Sequence, residues 1–149
     1  MEMIDSHDFN IFEVKRSTKE QELITVTTYI LHKHNIFFNL NIKMETFFNF
    51  ANKIQNGYNN VTYHNKTHGS DLSATAYFLL TKGGFMEKGK LDDIDFAAMI
   101  IGGACHDVGH FGVNNIYLVE AKHDIAIRYN DVSVLENYHV ATAFSYMQD

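Results

Sequence analysis

Asn65-Lys66-Thr67-His68-Gly69-Ser70-Asp71-Leu72-Ser73-Ala74-Thr75-Ala76-Tyr77-Phe78-Leu79-Leu80 runs without a break and closes on Lys82-Gly83-Gly84. Paired glycines after such a segment are a helix stop, because glycine takes up the left-handed conformation that helix ends need. A helix is therefore expected from about Asn65 to Leu80. Upstream, residues 43–56 place Met44, Phe47, Phe48, Ala51 and Ile54 on one side, ahead of an Asn56-Gly57 break. Residues 19–34 do the same with Leu23, Val26, Ile30 and Leu31, at a spacing close to the helical period. Downstream, Asp92-Asp93 puts negative charge where a helix N-terminus favours it, and the apolar stretch Phe96 to Ile101 continues into Ala104. No alternating strand of useful length is evident, and the chain contains no proline. The reading is all-α, a packed multi-helical domain with Phe37-Phe38 and the Phe47-Phe48-Phe50 cluster in its core.

At 149 residues the chain suits one domain with a sizeable core. Hydrophobic residues at 46% and charged residues at 20% argue against wholesale disorder. A net charge of −6 disfavours nucleic acid and acidic membranes as partners. The single cysteine, Cys105, excludes an internal disulfide and fits a reducing compartment. Neither a membrane-length apolar run nor a signal-peptide pattern is present, so a cytoplasmic, intracellular setting is expected. On the same ground the sequons Asn60-Val61-Thr62 and Asn65-Lys66-Thr67 read as chance. Oligomeric state leaves no trace in the sequence.

Nine histidines are the unusual count, and their placement matters more. In Tyr63-His64-Asn65-Lys66-Thr67-His68 the four-residue spacing would bring both imidazoles to one helical face, with Asp71 a turn further on. Some forty residues later comes Cys105-His106-Asp107-Val108-Gly109-His110-Phe111-Gly112. Near a helix end His106 and Asp107 can converge on one metal, with His110 about one turn beyond. Imidazoles and a carboxylate without a thiolate cage suit zinc beside a harder ion such as magnesium or manganese. Either cluster alone reads equally well as structural histidines. Two clusters flanking an apolar helix point to an HD-like metal-dependent phosphohydrolase.

Three strings sharpen this. Tyr63-His64-Asn65-x-x-His68-x-x-Asp71, then His106-Asp107-Val108-x-His110-x-Gly112-Val113-x-Asn115-x-x-Leu118, then Tyr129-Asn130-Asp131-x-Ser133-Val134-Leu135-Glu136-Asn137-x-His139 resemble, in order and spacing, the signatures of class I cyclic nucleotide phosphodiesterases. Asp8-Phe9-Asn10-Ile11-Phe12 is similar to the way such catalytic domains begin. The resemblance implies an all-helical phosphodiesterase catalytic domain over residues 8–149, with 1–7 as a short lead-in. The family domain continues past the point matching Asp149, so the chain is expected to hold the N-terminal, metal-binding part.

The resemblance also implies roles. His64 is the general acid, His68 and His106 bind the first metal, and Asp107 bridges both metals. His110 and Glu136 contact metal-bound water, while Tyr63 and Asp71 lie beside the site. Cofactors would be two divalent ions, zinc first and magnesium or manganese second, and the substrate a 3′,5′-cyclic nucleotide (cyclic AMP, cyclic GMP or both). The last aspartate ligand and the base-reading residues are missing, which makes the chain alone inactive on this reading. Phe111 and Thr62 replace prolines, Tyr138 replaces a histidine and Ala74 stands where glutamine is common.

Other readings stay open from the residues themselves. Ser133-x-x-Glu136 has the form of a capping box. Asp71 could orient His64 or His68 through a ring nitrogen, or cap a neighbouring segment. Cys105 reads as a small buried residue, and His7, His32, His34 and His123 as surface. A non-catalytic metal- or partner-binding module, or another HD-type nucleotide phosphohydrolase, are the alternatives in function.

Overall fold

The structure, a computed structural model, describes residues 2–148; Met1 and Asp149 lie outside it. Among the described residues there are helices and no strands. After a 3-10 turn at Glu2–Asp5 come α1 (Ile11–Ser17), α2 (Glu22–Lys33), α3 (Ile36–Asn39), α4 (Met44–Gly57) and α5 (Lys66–Thr81). They are followed by α6 (Phe85–Gly89), α7 (Asp93–Cys105), α8 (Asn115–Glu120), α9 (Asp124–Arg128) and α10 (Val134–Met147). The all-helical expectation holds.

The ends follow local chemistry. Asn65 caps α5, its side-chain oxygen accepting from the backbone N–H groups of Thr67 and His68 at 3.0 and 3.3 Å. Asp92 and Asp95 form a reciprocal capping box on α7. α5 ends at Thr81, just before the paired glycines, and Gly84 at φ +73° turns the chain into α6. α2 begins only at Glu22, because Lys19 and Glu20 both sit at positive φ.

Leu23, Val26, Ile30 and Leu31 of α2 are buried, as their spacing predicts. The aromatic expectation needs correcting. Phe37 and Phe47 are buried, yet Phe38 is 87% and Phe48 50% exposed, and Met44 is exposed too. Helix α4 buries the narrower stripe Phe47, Ala51, Ile54 and Gln55, and it runs through Asn56-Gly57. His34 is not a surface residue either: its ring packs on Phe96 (centroids 4.7 Å apart) and Tyr77 (5.4 Å).

The fold turns on the packing of α5 against α7. Ser73 of α5 donates its hydroxyl to the carbonyl oxygens of Gly69 and of Ile100 in α7. A Cβ placed on Gly103 would lie 3.1 Å from Ser73 Oγ and 3.2 Å from its backbone nitrogen. Such contacts are tighter than a Cβ usually makes, so the helices approach closely at this point. At the other end the Asp5 carboxylate ties the N-terminal turn to α2 and α5, accepting from Lys33 Nζ and the Tyr77 hydroxyl.

Gly103→Ala should force α5 from α7 and lower the unfolding free energy by about 1–3 kcal/mol. Gly102→Ala, whose Cβ would meet nothing within 4 Å, should be neutral or raise it by up to about 1 kcal/mol through better helix propensity. Thermal unfolding of the two variants checks the contrast. The hydrogen bonds from Lys33 and then Tyr77 hold Asp5 below its usual 3.8, so its contribution is present above that pH and lost as pH falls through the lower folded value. Asp5→Asn should therefore be less stable than wild type at neutral pH, with the difference vanishing in strong acid.

Candidate metal centre

His68 sits in the first turn of α5 and His106 caps the C-terminal end of α7. The α5–α7 packing brings their Nε2 atoms to 3.1 Å. His106 Nδ1 donates to the Gly103 carbonyl at 2.8 Å, which leaves its Nε2 as the inward lone pair. Asp107 Oδ2 lies 2.9 Å from His106 Nε2 and 3.4 Å from His68 Nε2. Around a tetrahedral ion with bonds near 2.05 Å, neighbouring donor atoms stand about 3.3 Å apart. His68, His106 and Asp107 therefore fit one divalent ion. Asp107 also joins a second group with His110 and His139.

The chain reverses after His106. Residues 106–109 form a turn in which Gly109 has φ +76°, and a Cβ there would strike Tyr138 at 2.9 Å. This turn sends His110 off the helix; it is not the next residue on a helical face. Val108 is fully buried behind it. His64 departs from expectation similarly: it precedes the Asn65 cap and lies in a bend, not on α5. Its ring still returns to the site, stacking on His110 with centroids 4.0 Å apart. Tyr63, exposed, packs across His64 and His68 at 4.9 and 4.6 Å. Asp71 is exposed and hydrogen-bonds to neither ring; it acts on His68 only through its charge.

Helix α10 supplies Glu136 and His139. The Ser133–Glu136 capping box does not form: Ser133 has φ +45° and its side chain caps nothing. Asn115 of α8 does that work across twenty residues. Its Oδ1 accepts from the Leu135 N–H at 2.9 Å, and its Nδ2 donates to Glu136 at 3.0 Å. Glu136 lines, with His106 and His139, a groove between α7 and α10. His139 is the residue at this centre that the sequence reading did not single out, although it closes the third quoted string. It is 3% exposed, donates Nδ1 to the Val108 carbonyl at 2.8 Å, and leaves Nε2 buried without a partner.

Burial lowers the pKa of His68, His110 and His139, with nearby histidine charges adding to the effect. Burial would lower His106 as well, but the Asp107 and Gly103 oxygens outweigh it and raise the ring. Burial also works against the charged form of Asp107, yet His106 and the other rings hold it below its usual value. Cys105 is buried, its thiol pushed up to about 12, and belongs to no ligand group. His123 is not a free surface group, since it caps α9 by accepting from the Ile125 N–H. No described helix is long and apolar enough to cross a membrane.

The profile of the 3′5′-cyclic nucleotide phosphodiesterase family matches residues 63–149, the segment that carries every histidine and carboxylate of this centre. The chain belongs to that family. The Caenorhabditis elegans protein named "Probable 3′,5′-cyclic-AMP phosphodiesterase pde-4" is 34% identical across all of this chain, which spans 22% of that relative. A Bos taurus dual specificity calcium/calmodulin-dependent 3′,5′-cyclic nucleotide phosphodiesterase is 32% identical over 98% of the chain and 27% of its own length. Among solved structures, the phosphodiesterase domain of a RhoPDE fusion protein from the choanoflagellate Salpingoeca rosetta superposes with a TM-score of 0.85 at 26% identity. That match covers 98% of this chain and 44% of the choanoflagellate one. The broader HD label fits loosely; the phosphodiesterase family is the specific match.

If Asn115 rather than Ser133 caps α10, Asn115→Ala should lower stability by about 1–2 kcal/mol. Ser133→Ala should change it by less than about 0.5 kcal/mol. Urea unfolding of the pair checks this, and the reverse order would restore the local capping box.

Proposed function

We propose that this chain is the metal-binding part, residues 8–149, of a catalytic domain that hydrolyses a 3′,5′-cyclic nucleotide to its 5′-monophosphate. The observation that carries the reading is the convergence of His68, His106 and Asp107 within 3.4 Å of one another, with His64 stacked alongside on His110. Zinc suits the two imidazoles and carboxylate, and a harder ion, magnesium or manganese, suits the second side of Asp107. Divalent ions held there would polarise the phosphate and supply hydroxide at neutral pH.

The remaining work falls to side chains. An alkoxide is a poor leaving group, so the breaking P–O3′ bond needs a proton at O3′. His64 suits that role: its ring is half-buried at the edge of the centre, away from the ligand nitrogens. His110, whose pKa burial and then the neighbouring His64 ring lower, would donate a hydrogen bond beside it. Glu136, its carboxylate fixed by Asn115, offers a second polar contact. Tyr63 packs against the two rings and limits water beside them.

These 149 residues by themselves should turn over little or no cyclic nucleotide. The first ion would have three protein ligands among the described residues, and the grooves flanking α7 leave Met99, Val140 and Phe144 more than half exposed. Ligand holding and substrate positioning both suffer when one wall of a site is bare.

His64→Asn, in a chain carrying a whole catalytic domain, should keep fold and metal content and lose roughly 10²–10⁴-fold in rate. A substrate with an activated leaving group should lose less. Wild-type turnover by the variant on a natural cyclic nucleotide would remove His64 from the role. Asp107→Ala should empty both metal positions, whereas His68→Ala should spare the second; metal analysis of the purified variants distinguishes them.

A further inference from the structure

Helix α7 ends at Cys105, and His106 and Asp107 follow directly. The last carbonyls of a helix have no partner within it. The Gly103 carbonyl takes the His106 ring at 2.8 Å, and the Cys105 carbonyl takes the Val108 N–H at 3.0 Å. The Ala104 carbonyl between them is served from elsewhere. The hydroxyl of Tyr58, the residue that closes α4, donates to it at 2.9 Å. Tyr58 is buried, and burial pushes its phenol's pKa up, so the oxygen keeps the proton this bond requires. The Asp107 backbone N–H acts on the same oxygen and favours its anion, but burial outweighs it. That oxygen also stands against α5. A Cβ on Gly69, the residue after His68, would lie 2.6 Å from Tyr58 Oη, 3.1 Å from its Cζ and 3.3 Å from the Ala104 carbonyl oxygen.

We propose that Tyr58 is a positioning residue for the metal centre, its hydroxyl setting the separation between His68 on α5 and the His106–Asp107 pair at the end of α7. Holding the Ala104 carbonyl fixes the turn from which His106 and Asp107 leave the helix. Contact with Gly69 sets how near the first turn of α5 can come, and His68 is the neighbouring residue. The Gly103–Ser73 contact governs the same approach one turn along α5; Tyr58 governs it at the ligands themselves. A metal site tolerates only about 0.2 Å in its bonds, so one hydroxyl between the helices is enough to register. Phenylalanine would keep the ring's packing, remove the donor from the Ala104 carbonyl and leave an oxygen-sized gap at Gly69. The proposal rests on the metal reading above for its purpose, while the hydroxyl's place between the two helices stands without it.

The test compares the chain with its Tyr58→Phe variant by two readouts. One is the affinity and absorption spectrum of bound cobalt(II), the metal probe. The other, taken without metal, is the NMR contact between the His68 and His106 rings, whose centroids stand 4.9 Å apart. The expected result is a folded variant that binds cobalt roughly 10-fold more weakly, with a shifted absorption band and a weakened ring-to-ring contact. Gly69→Ala, which leaves the tyrosine itself unaltered, should weaken cobalt binding in the same way. Adding Tyr58→Phe to it should restore part of the affinity, because the new methyl group takes the place of the missing oxygen. A tyrosine that served packing alone would give additive losses. Unchanged cobalt affinity and ring contact in Tyr58→Phe, or additive losses in the double variant, would overturn the positioning role. A wild-type chain that shows the ring contact, loses it in Tyr58→Phe and binds no cobalt would uphold that role and refute the metal centre instead.

Discussion

The approach of α5 to α7, with Gly103 hard against the Ser73 backbone, is the constraint on which the metal centre depends. Helix axes normally stand 8–10 Å apart according to the side chains between them, and small residues set the low end of that range. Here His68 lies one turn from the N-terminus of α5 and His106 ends α7. Both rings are therefore fixed by the same contact, and their Nε2 atoms meet at 3.1 Å. Two imidazole lone pairs do not settle that close to each other and to a carboxylate without a proton or a cation between them. The helix packing thus sets up an electrostatic demand that a proton or a divalent ion would meet. A bound cation would also reconcile a net charge of −6 with the anionic substrate proposed above, because such an ion dominates the local field.

The rest of the site is held by long-range ties. The Gly109 turn carries His110 away from α7, and α10 is tied both to that turn and to α8. His139 Nδ1 bonds to Val108, while Asn115 from α8 bonds to both Leu135 and Glu136. Tyr138 covers Gly109 where any side chain would collide. His64, His110 and His139 then stack in series, with centroid separations of 4.0 and 5.5 Å. His64, the turn and the helix are mechanically one unit, so a change in the register of α10 would be felt at His64.

Much of this was legible in the sequence because it is local. The apolar period located α2 and α4 within a few residues, the paired glycines and the acidic Asp92-Asp93 located α5 and α7, and the spaced His and Asp strings located His68, His106 and Asp107. What escaped was set by distant partners. Ser133 and Glu136 have the form of a cap, but the cap comes from Asn115, twenty residues upstream. Phe38 and Phe48 fit an apolar face whose width only the neighbouring helices decide. His34 gains its burial from Tyr77 and Phe96, far along the chain. Two misses had signals at hand. Asn65 is a preferred N-cap residue, which would have put His64 outside the helix, and His139 already stood in the third motif.

X-ray absorption at the zinc edge of the zinc-loaded chain tests whether one ion is shared by the end of α7 and the start of α5. Two imidazole nitrogens are expected at about 2.0–2.1 Å together with carboxylate or water oxygen, falling to one imidazole in His68→Ala. A first shell with no imidazole, or one unchanged by His68→Ala, would contradict it.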